Sequence, residues 1–172
     1  MVQRTNRRWL IERILEALPG SMLVTDIDRT SSGPGSYVLL LHLQGKLDFT
    51  RGSLRHTFAP GWYVYAGSAD GPGGVRARIR RHQRSNKVIH WHIDSLTVVA
   101  DAIEAFVAEQ GHECELITSL VRSGIFQSAL RRFGSSDCTR CETHLLMVRA
   151  PHCTALSWSS LTDSRGSLGP GG

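Results

Sequence analysis

The sequence predicts one mixed α/β domain, and three observations carry that prediction. Tyr37–Leu43 and Trp62–Ala66 are nearly continuous apolar runs of the kind that form buried strands. Arg7–Leu18 and Glu113–Val121 place apolar residues at helical spacing instead. The 172-residue length, with 41% hydrophobic and 20% charged residues, suits one domain with extensions and excludes wholesale disorder. No apolar run approaches the roughly 18 residues of a membrane span. Residues 1–20 carry Arg4, Arg7, Arg8, Glu12, Arg13 and Glu16 where a leader would be apolar, so a soluble, cytoplasmic protein is expected. The four cysteines, Cys114, Cys138, Cys141 and Cys153, are sparse and late in the chain, as suits a reducing compartment.

The elements follow in order. Residues 1–32 read as an N-terminal helical extension: Leu10, Ile11, Ile14, Leu15 and Leu18 form an apolar stripe that ends at Pro19-Gly20. The breaker cluster Thr30–Gly35 then opens the main domain, 33–150, whose first strand is Tyr37–Leu43. Gln44-Gly45-Lys46 reads as a hairpin turn, Leu54–Phe58 as a further strand, and Trp62–Ala66 as the second strong one. The glycine-rich segment Gly67–Gly74 leads into a helix over Val75–Asn86. Val98–Val107 reads as a strand, Glu113–Val121 as a helix and His144–Val148 as a last short strand. Residues 151–172, Ser/Gly-rich from Ser157, read as a flexible tail.

Charge is distributed unevenly. From Arg51 to His90 there are eight Lys/Arg and one acid, Asp70, whereas Trp91–Leu120 holds six acids and no Lys or Arg. A basic segment beside an acidic one suits a site for a polyanion and a divalent cation; a solvated arginine helix is the plainer alternative. Arg outnumbers Lys eighteen to two, which favours phosphate recognition through the guanidinium fork. Arg76, Arg80, Arg81, Arg84 and Lys87 are the candidate nucleic-acid contacts, with Arg76, Arg80, Arg81 and Arg84 expected to be exposed.

At about 100° per residue, Val75, Arg78, Ile79 and His82 share one face of the predicted helix. A guanidinium turned inward is costly without an anion, so Arg78 is the arginine singled out for function, with an ion pair to a core acid as the alternative. His82 is equally readable as a core histidine or a catalytic one. Leu116, Ile117, Leu120 and Val121 mark the buried face of the later helix; Glu113 falls in the middle of it and Glu115 points away. A carboxylate there needs a cation, either Arg78 or a hard divalent metal. Tyr37, Tyr63 and Tyr65 lie on the two strong strands, where packing alone explains a tyrosine.

Taken in order, Gly35-Ser36-Tyr37, Tyr65-Ala66-Gly67-Ser68, Arg78-Ile79-Arg80-Arg81-His82 and Glu113-Cys114-Glu115-Leu116-Ile117 resemble the motifs of the GIY-YIG nuclease superfamily. Together with His90-Trp91-His92-Ile93-Asp94, Phe133–Cys138 and His144-Leu145, they resemble an uncharacterised subfamily found alone or fused to endonuclease III-like proteins. The resemblance implies an α/β fold with a small, mainly antiparallel central β-sheet flanked by helices. Tyr37 then matches a general base, Tyr65 a residue orienting water or phosphate, Arg78 the arginine at the scissile phosphate, and Glu113 the acid that holds Mg²⁺ or Mn²⁺. His82 joins them as a catalytic candidate. Tyr37 can act as a base only if Arg78 and the metal depress its pKa. The motif tyrosines lie farther apart than the superfamily usually places them, which implies an inserted hairpin. Ser36 and Ala66 replace the motif isoleucines, and Ser136 or Asp137 stands nearest to the superfamily's late asparagine.

Cys138, Cys141 and His144, with Cys114 or a histidine as fourth ligand, have the ligand types of a zinc site, although buried reduced thiols are the preferred reading. His90, His92 and Asp94 are left without a role. The expected function is a metal-dependent endonuclease acting on nucleic acid, DNA before RNA, in repair or processing, with a repair protein as a candidate partner. A non-catalytic nucleic-acid-binding module and a zinc-stabilised interaction domain are the alternatives.

Overall fold

The structure, a computed structural model, describes residues 6–108, 111–135 and 138–149. The expected tail, 151–172, lies outside them, as do Ser136, Asp137 and Cys153. The chain forms a mixed α/β fold around a mainly antiparallel six-stranded sheet, with a second, two-stranded sheet beside it. The helix α1 (Arg7–Ala17) is opened by Asn6, whose side chain accepts from the Trp9 amide at 2.9 Å. A two-residue strand β1 (Met22–Leu23) follows, then a 3-10 turn (Ile27–Arg29) and the strand β2 (Ser36–Leu43). β3 (Leu47–Arg51) and β4 (Leu54–Phe58) pair with each other and not with β2. β5 (Gly61–Ser68), α2 (Gly74–His82), α3 (Asp94–Thr97), β6 (Ala102–Ala108), α4 (Glu113–Arg122), β7 (Phe126–Ser128) and β8 (Leu145–Val148) complete the chain. The main sheet runs β1-β6-β2-β5-β8-β7.

β2 is central, paired with both β5 and β6, and helices cover both sheet faces, so both sets of its side chains are buried. This is why it reads as an unbroken apolar run. One face carries Tyr37, Leu39, Leu41, Tyr63 and Tyr65 against Val75 and Ile79 of α2 and Phe49 and Phe58 of the small sheet. The other face packs Val38, Leu40, Val64 and Phe106 against Leu10 and Ile14 of α1 and Leu116, Ile117 and Leu120 of α4. α1 and β1 thus belong to the same layers as the main domain.

Three sequence expectations are corrected. Gln44–Lys46 is a bend that carries the chain into the second sheet, and the hairpin turn sits at Gly52, with φ of 59°, between β3 and β4. That small sheet is the insertion expected between the tyrosine strands. α2 stops at His82 and not at Asn86: Lys87 Nζ donates to the carbonyl oxygens of His82 and Arg84, both at 2.8 Å, and satisfies acceptors that a longer helix would have used. Val98 and Val99 are not strand, because the turn after α3 continues through Ala100, whose amide bonds to the Leu96 carbonyl at 2.9 Å.

Candidate active site

β2 and β5 run antiparallel with Tyr37 opposite Gly67 and Leu39 opposite Tyr65, so the two tyrosines are diagonal neighbours on one face. Gly67 makes room for them. A Cβ there would stand 2.6 Å from Tyr37 Oη, 2.8 Å from its Cζ and 3.0 Å from Tyr65 Cε1. Gly67→Ala is therefore expected to destabilise by about 1–3 kcal/mol through overpacking. A thermal melt checks this, and an unchanged midpoint would mean that the ring pair yields without cost.

Across the cleft, α2 presents His82, whose Nε2 lies 2.8 Å from Tyr37 Oη. His82 Nδ1 lies 3.6 Å from Asp94 Oδ1, an ion-pair separation longer than a hydrogen bond, and neither atom has another partner among the described residues. Asp94 is wholly buried. Its Oδ2 accepts from Arg81 Nη2 at 2.8 Å and from the His90 and Trp91 amides at 2.8 and 2.9 Å. Burial alone would raise the Asp94 carboxyl, but the facing His82 ring, the Trp91 and His90 amides and the Arg81 charge hold it well below the usual carboxylate range. Burial lowers His82 against the pull of Asp94, so its ring is neutral near pH 7. An ionised carboxylate only accepts; Nδ1 facing it carries the proton, and Nε2 accepts from the Tyr37 hydroxyl.

Burial works against the lowered pKa expected for Tyr37. Its pKa is raised well above the usual tyrosine value by desolvation, then by Tyr65, and the opposing Arg78 charge is the smaller effect. Tyr65 is pushed up to about 12, again by burial first. Tyr37 is therefore a hydroxyl hydrogen-bonded to a neutral imidazole and not a free tyrosinate.

Arg78 lies over the Trp91 ring, 4.1 Å from its centroid, and Arg81 lies over the same ring at 4.5 Å. Neither the expected alternative, an ion pair between Arg78 and a core acid, nor one between Arg78 and Glu113 forms among the described residues. Glu113 is the first residue of α4, in line with the buried Leu116, Ile117 and Leu120, and is half-buried because it stands at the helix end. It lines the cleft, whereas Glu115 is exposed and lines a different pocket. Tyr37, Tyr65, Arg78, His82 and Glu113 all line one cleft of about 540 Å³.

The other basic residues are placed differently. Arg76 is half-buried and donates to the Thr30 carbonyl oxygen at 2.7 Å. Arg80 pairs with Asp28, and Arg81 is half-buried on Asp94 and on the Val88 carbonyl oxygen. Lys87 is held by the end of α2. The expectation that Arg76 and Arg81 are exposed is thus corrected: both hold loops in place. Arg84 is exposed and makes no ion pair among the described residues. Arg140, which the sequence did not single out, is exposed and lines the cleft. Asp94 and Trp91 were also missed as parts of the site; their signal was the unexplained acid and aromatic in His90-Trp91-His92-Ile93-Asp94. His92 sits among Phe49 and Phe133, and His90 is exposed.

Residues 36–165 match a family model described as Domain of unknown function DUF123. The chain belongs to that family. No curated protein and no solved structure matches it. The DUF123 region takes in the cleft residues from Tyr37 to His144. It also contains a cluster able to hold a metal ion: Cys114, Cys138, Cys141 and His144 each bring one ligand atom to within 4.8 Å of the others. No helix of the described residues is long and apolar enough to cross a membrane.

Proposed function

We propose that this chain is a GIY-YIG-type phosphodiesterase that cleaves nucleic acid, DNA before RNA, in repair or processing. The observation that supports it is the convergence of Tyr37, Tyr65, Arg78, His82 and Glu113 from separate elements onto one cleft. Within it Arg78 and Glu113 stand unpaired with each other, which suits opposite charges reserved for a phosphate and a cation. Glu113 fits the modest needs of Mg²⁺ or Mn²⁺, which binds through one or two carboxylates and the substrate's own phosphate oxygens. When bound, the metal supplies charge neutralisation and Lewis acidity at the phosphate.

The chain's own groups do the rest. Arg78, its guanidinium held against Trp91, steadies the scissile phosphate. Water passes a proton to Tyr37 Oη while the Tyr37 hydroxyl proton moves to His82 Nε2, so no free tyrosinate is needed. Asp94, kept ionised by Arg81 and two backbone amides, stabilises the imidazolium that results. The resulting hydroxide attacks phosphorus, the bond from phosphorus to the leaving sugar oxygen breaks, and that oxygen takes up a proton from solvent while the His82 imidazolium later returns its own; Tyr65 lines the same cleft.

Labelled single-stranded, duplex, flapped and abasic substrates incubated with Mg²⁺ or Mn²⁺ test the reading, with chelator as the blank. Metal-dependent cleavage of at least one is expected. Binding without cleavage of any would favour the alternative, a non-catalytic module whose deeply buried Tyr37 merely packs.

Binding itself should depend steeply on salt. Arg140, exposed at the cleft, and Arg84, exposed just past the end of α2, are each expected to lower the slope of log K against log salt by about 0.7–0.9 when changed to alanine. Arg81→Ala should lower stability instead, because it leaves Asp94 buried with one partner fewer. Unchanged slopes for both Arg84→Ala and Arg140→Ala would place the phosphate path elsewhere.

A further inference from the structure

The cysteine-histidine cluster lies outside the proposed chemistry yet shares a wall with it. Cys114 is the second residue of α4, directly after Glu113, and Cys138 and Cys141 flank Thr139-Arg140 in the loop before β8, which His144 adjoins. Cys114 Sγ is 3.2 Å from Cys138 Sγ and 3.9 Å from His144 Nε2. The first distance is far beyond the roughly 2.05 Å of a disulfide. Tetrahedral zinc with bonds of about 2.3 Å to sulfur and 2.0–2.1 Å to nitrogen sets ligand atoms about 3.5–3.8 Å apart, close to what the cluster already holds.

Backbone donors face one of the sulfurs. The Arg140 and Cys141 amides both donate to Cys138 Sγ at 3.3 Å, a turn whose backbone dipoles favour negative charge on sulfur. Cys114 stands in the first turn of α4 with its sulfur toward Cys138 and His144. The His144 ring is buried with its Nε2 toward Cys114 Sγ, the nitrogen a metal-ligating histidine would present. Three soft sulfurs and an imidazole select zinc over the hard Mg²⁺ or Mn²⁺ assigned to Glu113.

We propose that Cys114, Cys138, Cys141 and His144 bind one zinc ion, which ties the start of α4 to the loop before β8. The site is structural: all four positions are filled by protein, leaving none for water or substrate. It goes beyond the nuclease reading and stands without it. Its link to that reading is geometric, since the clamp at Cys114 fixes the backbone from which Glu113 faces the cleft.

The test is metal content, not activity. The full chain, purified in reductant without chelator from zinc-supplemented cells, is expected to carry about one zinc. Cobalt exchange should give the visible bands of a tetrahedral ion and a thiolate charge-transfer band. Cys138→Ser and Cys141→Ser should each weaken zinc binding by more than the roughly 10–100-fold that loss of an outer-shell partner costs. Glu113→Gln and Cys153→Ser should keep the ion, which separates this proposal from the fate of the nuclease reading. Folded, reduced wild-type protein with no zinc and no cobalt-thiolate band overturns it, even if the cysteine variants fail to fold. So does full zinc retention when Cys138 and Cys141 are replaced together.

Discussion

Glu113→Gln and Arg78→Ala are each expected to remove metal-dependent cleavage while the protein stays folded. Glu113 is half-buried and opens onto the cleft, and glutamine keeps its shape while removing the charge that a divalent cation requires. Arg78 lies on the Trp91 ring and pairs with no acid among the described residues, so its loss is expected to cost the fold some stacking and the reaction its proposed phosphate contact. Removing a preorganised charge contact typically lowers the rate by about 10²–10³-fold. A negative side chain in the first turn of a helix contributes only about 0.3–1 kcal/mol, so melting should shift little for Glu113→Gln. Single-turnover cleavage read beside circular dichroism decides it. Wild-type rates for both variants would mean that the site is elsewhere.

The second large effect concerns the proton path. Tyr37→Phe keeps the buried ring and removes the hydroxyl that bonds His82, so nucleic-acid affinity should persist while cleavage falls by about 10²–10⁴-fold. The pH profile distinguishes a relay from a lone tyrosine. Because burial lowers the His82 pKa, protonation of Nε2 at acidic pH closes the acceptor. The wild-type rate should therefore rise with pH through an apparent value below the imidazole's usual 6.5 or so and then level off. A rate that instead climbs through the alkaline range would assign the base to an ionising Tyr37 acting alone. Asp94→Asn should lower the rate too, since it removes the charge that stabilises the imidazolium, and it should also destabilise the loop that Asp94 organises.

The features legible in the sequence are those set by local pattern. β2 and β5 announce themselves because burial on both faces leaves a continuous apolar run, and Glu113–Arg122 because one helical face is apolar throughout. The order of Tyr37, Tyr65, Arg78 and Glu113 was equally visible, and the fold brings all of them to one cleft. Features set by distant partners were not. β1 and β7 are two and three residues long and exist only because β6 and β8 pair with them. Arg76 and Arg80 look like free cations until the turn around Asp28 and Thr30 folds over α2. The high pKa of Tyr37 follows from enclosure that no spacing encodes.

The position of β8 has a consequence for synthesis. In space it lies between β5 and β7, yet it is the last of the described strands to be made. On the ribosome, β5 waits with one edge open until residues 145–148 emerge, and His144, just before them, lines the cleft. A nascent or prematurely ended chain therefore holds Tyr37, Arg78 and Glu113 without the wall that encloses them. That wall is complete only once residues 145–148 have paired with β5.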